Sequence, residues 1–266
     1  MRRLFTPVLC AAAIAAVTAR ADDQSEDLAK KLNNPIANLI SVPFQENVDF
    51  GMGPSDHGVK STLNIQPVIP ISLGSDWNVI SRTILPVTYL SDDVNPAIGD
   101  QFGLADTTQS FFFSPKEPGP AKLIWGVGPA FLLPTATRGV LGTERWAAGP
   151  TAVLLRQDGP VTAGMLVNHL WSFAGNKNRS QVSQTFFQPF VSYTTHTATS
   201  FTVNLESSYD WQSSQWTIPA NFTVSQVLKL GPQIISVQLG YRTYISAPQY
   251  GPDWGLRLAV VLLFPK

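Results

Sequence analysis

Trp254-Gly255-Leu256-Arg257-Leu258-Ala259-Val260-Val261-Leu262-Leu263-Phe264 is the stretch that decides the fold class of this chain. Every even position is large and apolar, whereas Gly255, Arg257 and Ala259 between them are small or charged. Side chains alternate across a β-strand, so the segment presents one unbroken apolar stripe and one small or polar face. Trp and Phe close the ends of the stripe and aliphatic residues fill its middle. A strand that faces lipid has this layout, with aromatic rings at the two interfaces and aliphatic side chains in hydrocarbon. The expected architecture is an all-β transmembrane antiparallel up-and-down β-barrel.

The same period of two recurs from Ile36 onward. Ile40, Val42, Phe44, Val48 and Phe50 open it, and Val59 to Leu73 and Trp77 to Leu90 follow. Gly103 to Phe113, Ala121 to Leu133, Arg145 to Arg156, Val161 to Phe173 and Gln184 to Thr194 continue it. Phe201 to Trp211, Trp216 to Leu228, Gln233 to Ile245 and the quoted stripe complete a set of about twelve strands. Each is long enough for a tilted crossing, which needs about 9–11 residues. Even-numbered strands run mostly into short turns, such as Gly74-Ser75-Asp76 and Gln157-Asp158-Gly159. Odd-numbered strands run into longer polar loops, such as Ser91 to Gln101 and Ala174 to Ser183. Short periplasmic turns and long outer loops are the barrel rule. Prolines oppose it: Pro67, Pro70, Pro86, Pro129, Pro150, Pro189 and Pro219 fall inside these strands, and proline cannot donate to a ladder. They are expected near rims, at bulges or where a neighbour leaves a gap.

Residues 1–21 read as a signal peptide. Arg2 and Arg3 begin it, an apolar stretch follows, and Ala19-Arg20-Ala21 is an A-x-A cleavage site. Cys10, the one cysteine, would leave with it, so no disulfide or thiol ligand is expected. Loss of Arg2, Arg3 and Arg20 from a chain with 18 basic and 18 acidic residues leaves three more acids than bases. No basic cluster remains, and a nucleic-acid partner is excluded. Residues 22–35 form a polar N-terminal periplasmic segment. Within it, Ser25 to Leu32 predicts a short helix capped by Ser25 and ended before Pro35, expected to be a solvated tail, with a plug inside the pore as the alternative. Residues 36–266 form the barrel, placing the chain in the outer membrane of a Gram-negative cell.

Ten polar residues occupy faces opposite the apolar stripes and are the candidate lumen lining. They are Lys60, Asn64, Gln66, Arg82, Asn204, Glu206, Asp210, Gln238, Arg242 and Arg257. In an open pore they would meet water and set selectivity by charge. In a narrow lumen Glu206 and Asp210 would instead pair with Arg242, Arg257 or Arg82, since buried charges require partners.

Several motifs resemble a known family. Phe102-Gly103-Leu104-Ala105-Asp106 runs to Phe113-Ser114-Pro115-Lys116, and Trp125-Gly126-Val127-Gly128-Pro129-Ala130-Phe131 follows. Trp146-Ala147-Ala148-Gly149-Pro150, Asn168-His169-Leu170-Trp171-Ser172-Phe173 and Gln188-Pro189-Phe190 extend the pattern. Together they resemble the bacterial outer-membrane "MetA-pathway of phenol degradation" (transporter-like) family, over roughly Ile36 to the end. The resemblance implies a barrel and a transport role, without carrying phenol over as a substrate.

No enzyme is expected. Outer-membrane lipid hydrolysis would need Ser, His and an orienting polar group at the rim, and His169 stands without a partner motif. The three histidines lie in separate segments without metal-ligand spacing, so no metal and no cofactor is expected. The leading expectation is a porin-like channel for passive passage of small solutes, hydrophobic or aromatic ones among them. Its alternatives are a non-transporting structural or adhesive barrel using the outer loops and, third, a lipid-acting enzyme centred on His169. The expected partners are outer-membrane lipid, the barrel-assembly machinery through the strand Trp254 to Phe264, and an unidentified solute.

Overall fold

The computed structural model describes residues 23–265, so the expected signal peptide lies outside the described residues. Twelve antiparallel strands close into a barrel with one short helix ahead of them. They are β1 (Ile40–Met52), β2 (Gly58–Ile65 continued by Val68–Leu73), β3 (Trp77–Leu90) and β4 (Gln101–Leu104 continued by Thr107–Pro115). Next come β5 (Leu123–Leu133), β6 (Arg145–Asp158), β7 (Val161–Gly175) and β8 (Ser183–Thr194). The last four are β9 (Thr199–Leu205 continued by Ser207–Asp210), β10 (Gln215–Leu230), β11 (Gln233–Ser246) and β12 (Trp254–Phe264). Each pairs with its sequence neighbour, and β12 returns to β1 from Ile40↔Phe264 to Phe50↔Trp254. Closure leaves no free edge.

The outward and inward faces are those the alternation predicts. In β12, Leu256 and Leu258 are 49% and 47% exposed, while Arg257 and Ala259 are 4% and 3% exposed. Exposed Tyr89, Trp146, Trp171, Trp211, Trp216 and Trp254 ring the loop end. At the other end Trp77 meets Trp125 edge-on at 5.9 Å, near exposed Phe113, Tyr193 and Phe264. These two aromatic rings enclose an aliphatic band, as lipid interfaces require.

The prolines sit where the ladder can miss a bond. Three strands are interrupted, and each break meets proline. β2 breaks at Gln66-Pro67, where the pairing to β3 keeps its register across the gap. β9 breaks at Glu206, whose N–H still donates to the Pro219 carbonyl. β4 shifts register by one residue at Ala105-Asp106, against Pro86 of β3. Pro129 and Pro150 face each other directly, so two missing donors share one gap. On its other side Pro150 falls between Ala148↔Trp171 and Thr151↔Asn168, where the ladder to β7 skips. The closed sheet thus sets two of these residues against one another and others at breaks or register shifts, whereas Pro70 and Pro189 pair in unbroken register with Ile80 and Met165.

The N-terminal segment differs from the solvated tail predicted from its composition. Helix α1 (Asp23–Leu32) begins ahead of Ser25, so Ser25 lies within it and not at its cap. Lys30–Glu26 and Lys31–Asp27 ion pairs, both 2.7 Å, brace it at i,i+4 spacing. Leu28 and Ala29 are each 2% exposed and pack with Ala198, Val227 and Leu263 at the barrel end that carries the turns. Asn33 donates to Thr194 at 3.0 Å, and Gln157 donates to the Lys30 carbonyl at 2.9 Å. Ile36 then enters a recess formed by Ile80, Phe112, Val153, Leu155 and Leu166. The short apolar run after the polar helix is what turns a tail into a plug, because burial of Ile36, Ala37 and Leu39 removes three side chains from water.

Candidate functional site: a charged lumen closed at one end

Two inward rows of polar side chains follow from the register. One runs Lys60–Asp49–Gly255–Arg242–Asn221–Asn204 across β2, β1, β12, β11, β10 and β9. The next runs Thr62–Asn47–Arg257–Gly240–Thr223–Thr202 across the same strands. Glycine alternates with arginine because the lumen has room for one large side chain at each step. A Cβ on Gly240 would lie 2.6 Å from Thr223 Cγ2, and one on Gly255 would lie 2.5 Å from Asp49 Oδ1.

Glu206 supplies the centre of the charge cluster. It stands at the break in β9, three strands from β12, and reaches Arg257 through a bidentate pair. Arg257 Nη1 donates to Glu206 Oε1 at 2.9 Å and Nη2 donates to Oε2 at 2.7 Å. Asn47 Oδ1 accepts from both Arg257 Nε and Arg242 Nη1, each at 2.7 Å. Arg242 also stands 3.2 Å from Asp49 Oδ1 and 3.7 Å from Glu206 Oε2, and donates to Tyr244 Oη at 3.1 Å. Arg242, Arg257, Asn47 and Asp49 are each between 4% and 6% exposed. Planar guanidinium forks suit such bidentate pairing, and the shared Asn47 acceptor holds two like charges side by side.

Beneath the cluster, between it and the N-terminal plug, lies a cavity of about 370 Å³. Asn64, Gln66, Arg82, Asn204, Gln238 and Arg257 line it together with the apolar side chains of Phe186, Phe190 and Ile84. Arg82 donates to Gln66 Oε1 at 3.2 Å. The plug forms the floor through Lys31 to Pro35. Outside the wall, Glu26 Oε2 of α1 meets His196 Nδ1 at 2.9 Å in the turn after β8. The Lys30 ammonium first, and His196 second, hold the Glu26 carboxyl below the ordinary 4.5.

Nine of the ten residues expected to line the lumen are brought together in the cluster or the cavity. Lys60 faces Asp49 in register, Arg242 joins the cluster, and the other seven line the cavity. Asp210 is the exception. It sits at the loop-end tip of β9, where its carboxylate accepts from the Gln212 N–H and the Ser213 hydroxyl. It therefore closes a turn and does not pair with an arginine. Asn47, Asp49, Asn221 and Tyr244 were not among the expected residues, although Asn47 and Asp49 alternate with Val48 and Phe50 and were open to the same period-two reading.

His169 faces outward near the loop-end aromatic ring. Its ring centroid lies 4.0 Å from that of Trp171, and its Nδ1 lies 2.7 Å from Thr185 Oγ1, which also accepts from Trp211 Nε1. Its Nε2 is buried without a hydrogen-bond partner. One ring nitrogen thus has a hydroxyl partner and the other has none among the described residues. No group of three metal-ligating side chains occurs among the described residues.

No family model matches this chain, and no curated protein matches it. Among solved structures, it is similar to the COG4313 outer membrane channel from Pseudomonas putida F1. That match has a TM-score of 0.65 at 17% sequence identity, over 85% of this chain and 94% of that one. Outer membrane phospholipase A from Escherichia coli matches at TM-score 0.46 and 10% identity, over 85% of this chain and 96% of that one. The calcium-bound outer membrane phospholipase dimer from Salmonella typhi matches at TM-score 0.46 and 11% identity, over 92% and 98%. The transporter-like outer-membrane class expected from the motifs agrees with the first of these, whereas no family model supports the narrower MetA-pathway label. The chain has the fold of an outer-membrane channel barrel.

Proposed function

We propose that this protein is a passive outer-membrane channel for small anionic solutes that carry an apolar portion, closed on the periplasmic side by its own N-terminal segment. The observation that carries the reading is the make-up of the lumen. Among the described residues, the charge cluster and the strand residues of the cavity wall set Lys60, Arg82, Arg242 and Arg257 against Asp49 and Glu206, two cations in excess. Fixed lumen charge sets ion preference in a pore. Phe186, Phe190 and Ile84 in the same lining add apolar surface on which an aliphatic or aromatic group can rest.

Planar-bilayer recording tests the proposal on the full chain and on a variant lacking residues 23–39. The full chain should conduct rarely, and the shortened one often, with a reversal potential on the anion side. Aromatic carboxylates should pass faster than cations of equal size. Absence of conductance in both proteins, or a cation preference, rules the reading out. One observation favours a second reading, a non-conducting structural barrel: the Arg257–Glu206 bridge spans strands on different parts of the wall. That reading predicts a silent bilayer with either protein.

A further inference from the structure

The lipid-facing wall of β1 to β4 carries polar side chains at mid-depth that the channel reading does not use. Glu46 points outward, six residues from Ile40 and four from Phe50, and pairs in register with Leu63 and Leu258. Its Oε1 accepts from the Ser61 hydroxyl at 2.6 Å. Thr83 also points outward, six residues from Trp77 and six from Tyr89. It donates to Gln109 Oε1 at 2.6 Å, and Gln109 Nε2 donates to Ser81 Oγ at 3.0 Å. Each spot therefore leaves one bonding group unspent among the described residues: an acceptor at Glu46 Oε2 and a donor at the Ser81 hydroxyl. Hydrocarbon offers neither a partner, and a carboxylate or hydroxyl left unpaired there is costly.

We propose that this wall is the interface of a homodimer, with a second copy of the chain as its occupant. An acceptor spot and a donor spot at similar depth flank one apolar centre, Leu85 and Ile65, which pair in register. A twofold axis along the membrane normal through that centre sets Glu46 of each copy against Ser81 of the other. A twofold interface must be complementary to itself, and this wall is, whereas a purely apolar wall needs no such pairing. Small Ser61 and Ser81 side chains let two walls approach closely. The proposal rests on the barrel fold and not on the channel reading, so either can fail alone.

Cysteine cross-linking in reconstituted vesicles tests it. Leu85→Cys lies beside the proposed axis, and Val224→Cys, outward and 45% exposed on the far wall of β10, is the control. Both proteins are first shown to be folded by their heat-dependent gel mobility, and the unsubstituted chain reports any background. Under mild oxidation the Leu85→Cys protein should give a disulfide-linked dimer and the Val224→Cys protein should not. Adding Glu46→Ala should lower the dimer association constant about sevenfold, the effect of two equivalent membrane hydrogen bonds of ordinary strength. Equal cross-linking at both sites, no cross-linking at Leu85→Cys, or indifference to Glu46→Ala would each overturn the proposal. Lipid alone would then be the occupant of this wall.

Discussion

Glu206 illustrates how far a single residue can act in this barrel. Its carboxylate holds Arg257, whose side chain is 3% exposed, and stands 3.7 Å from Arg242. Removing one partner of such a pair strands the other charge away from water, a cost of about 3–5 kcal/mol. Glu206→Ala should therefore lower the unfolding free energy of the detergent-folded protein, measured in urea, by that amount, while Asp210→Ala, which only opens a turn, should cost far less. A second prediction concerns face assignment. Val224→Arg, on the outer wall away from the Glu46 carboxylate, places a charge on the lipid side and should cost about 2–4 kcal/mol in refolding measurements. Asn64→Arg puts the same charge beside the polar cavity and should be much milder, and equal costs would contradict the assignment of inner and outer faces. The inward identity of Arg257 was legible from its place between Leu256 and Leu258. Its partner was not, because Asp210 and Glu206 share the same inward parity and only the break in β9 decides which of them reaches it.

At the scale of the element, α1 and the segment that follows it are the part the sequence described least well. The helix is polar, and its charges alone suggest a solvated tail. Its docking depends on Leu28, Ala29 and the run from Ile36 to Leu39 meeting apolar recesses contributed by several strands. Lys30 of the same helix first, and His196 of the barrel second, lower the Glu26 carboxyl, and the second contact gives the docking a pH dependence with a definite sign. A carboxyl held below 4.5 in the folded state contributes stability at neutral pH and loses it as pH falls through its lowered value. Plug opening through this group should therefore stay constant down to the ordinary carboxylate range and increase only below it. Conductance recorded against pH checks this, and Glu26→Gln should remove the acid step while leaving the neutral-pH behaviour of the lumen in place. The strands show the opposite balance. Their number and faces were readable, while the interruptions at Glu206, Gln66-Pro67 and Ala105-Asp106 were not, because each depends on a proline in a neighbouring strand as well as on its own residues. Asp106 is used at its bulge to accept from the Ala136 N–H, the Thr143 N–H and the Thr143 hydroxyl, which ties down the outer loop before β6.

For the whole molecule, closure predicts behaviour that no single strand shows. A barrel without edges resists detergent until heated, so unboiled protein from an outer-membrane fraction should migrate differently from boiled protein. A soluble protein with no such shift would contradict the membrane barrel. The sequence by itself determined the alternating faces, the strand count and the aromatic ends of the stripes, because a period of two is a property of local backbone geometry. It also marked inward polar residues of both charges, since charge and parity are both written residue by residue. Only the tertiary structure decided that β12 meets β1, that Asn47 serves two arginines from β11 and β12, and that the N-terminal segment folds back into the barrel. Those contacts join residues as far apart in the chain as Ile40 and Phe264. They arise from register and curvature summed around a closed wall, which no local pattern carries.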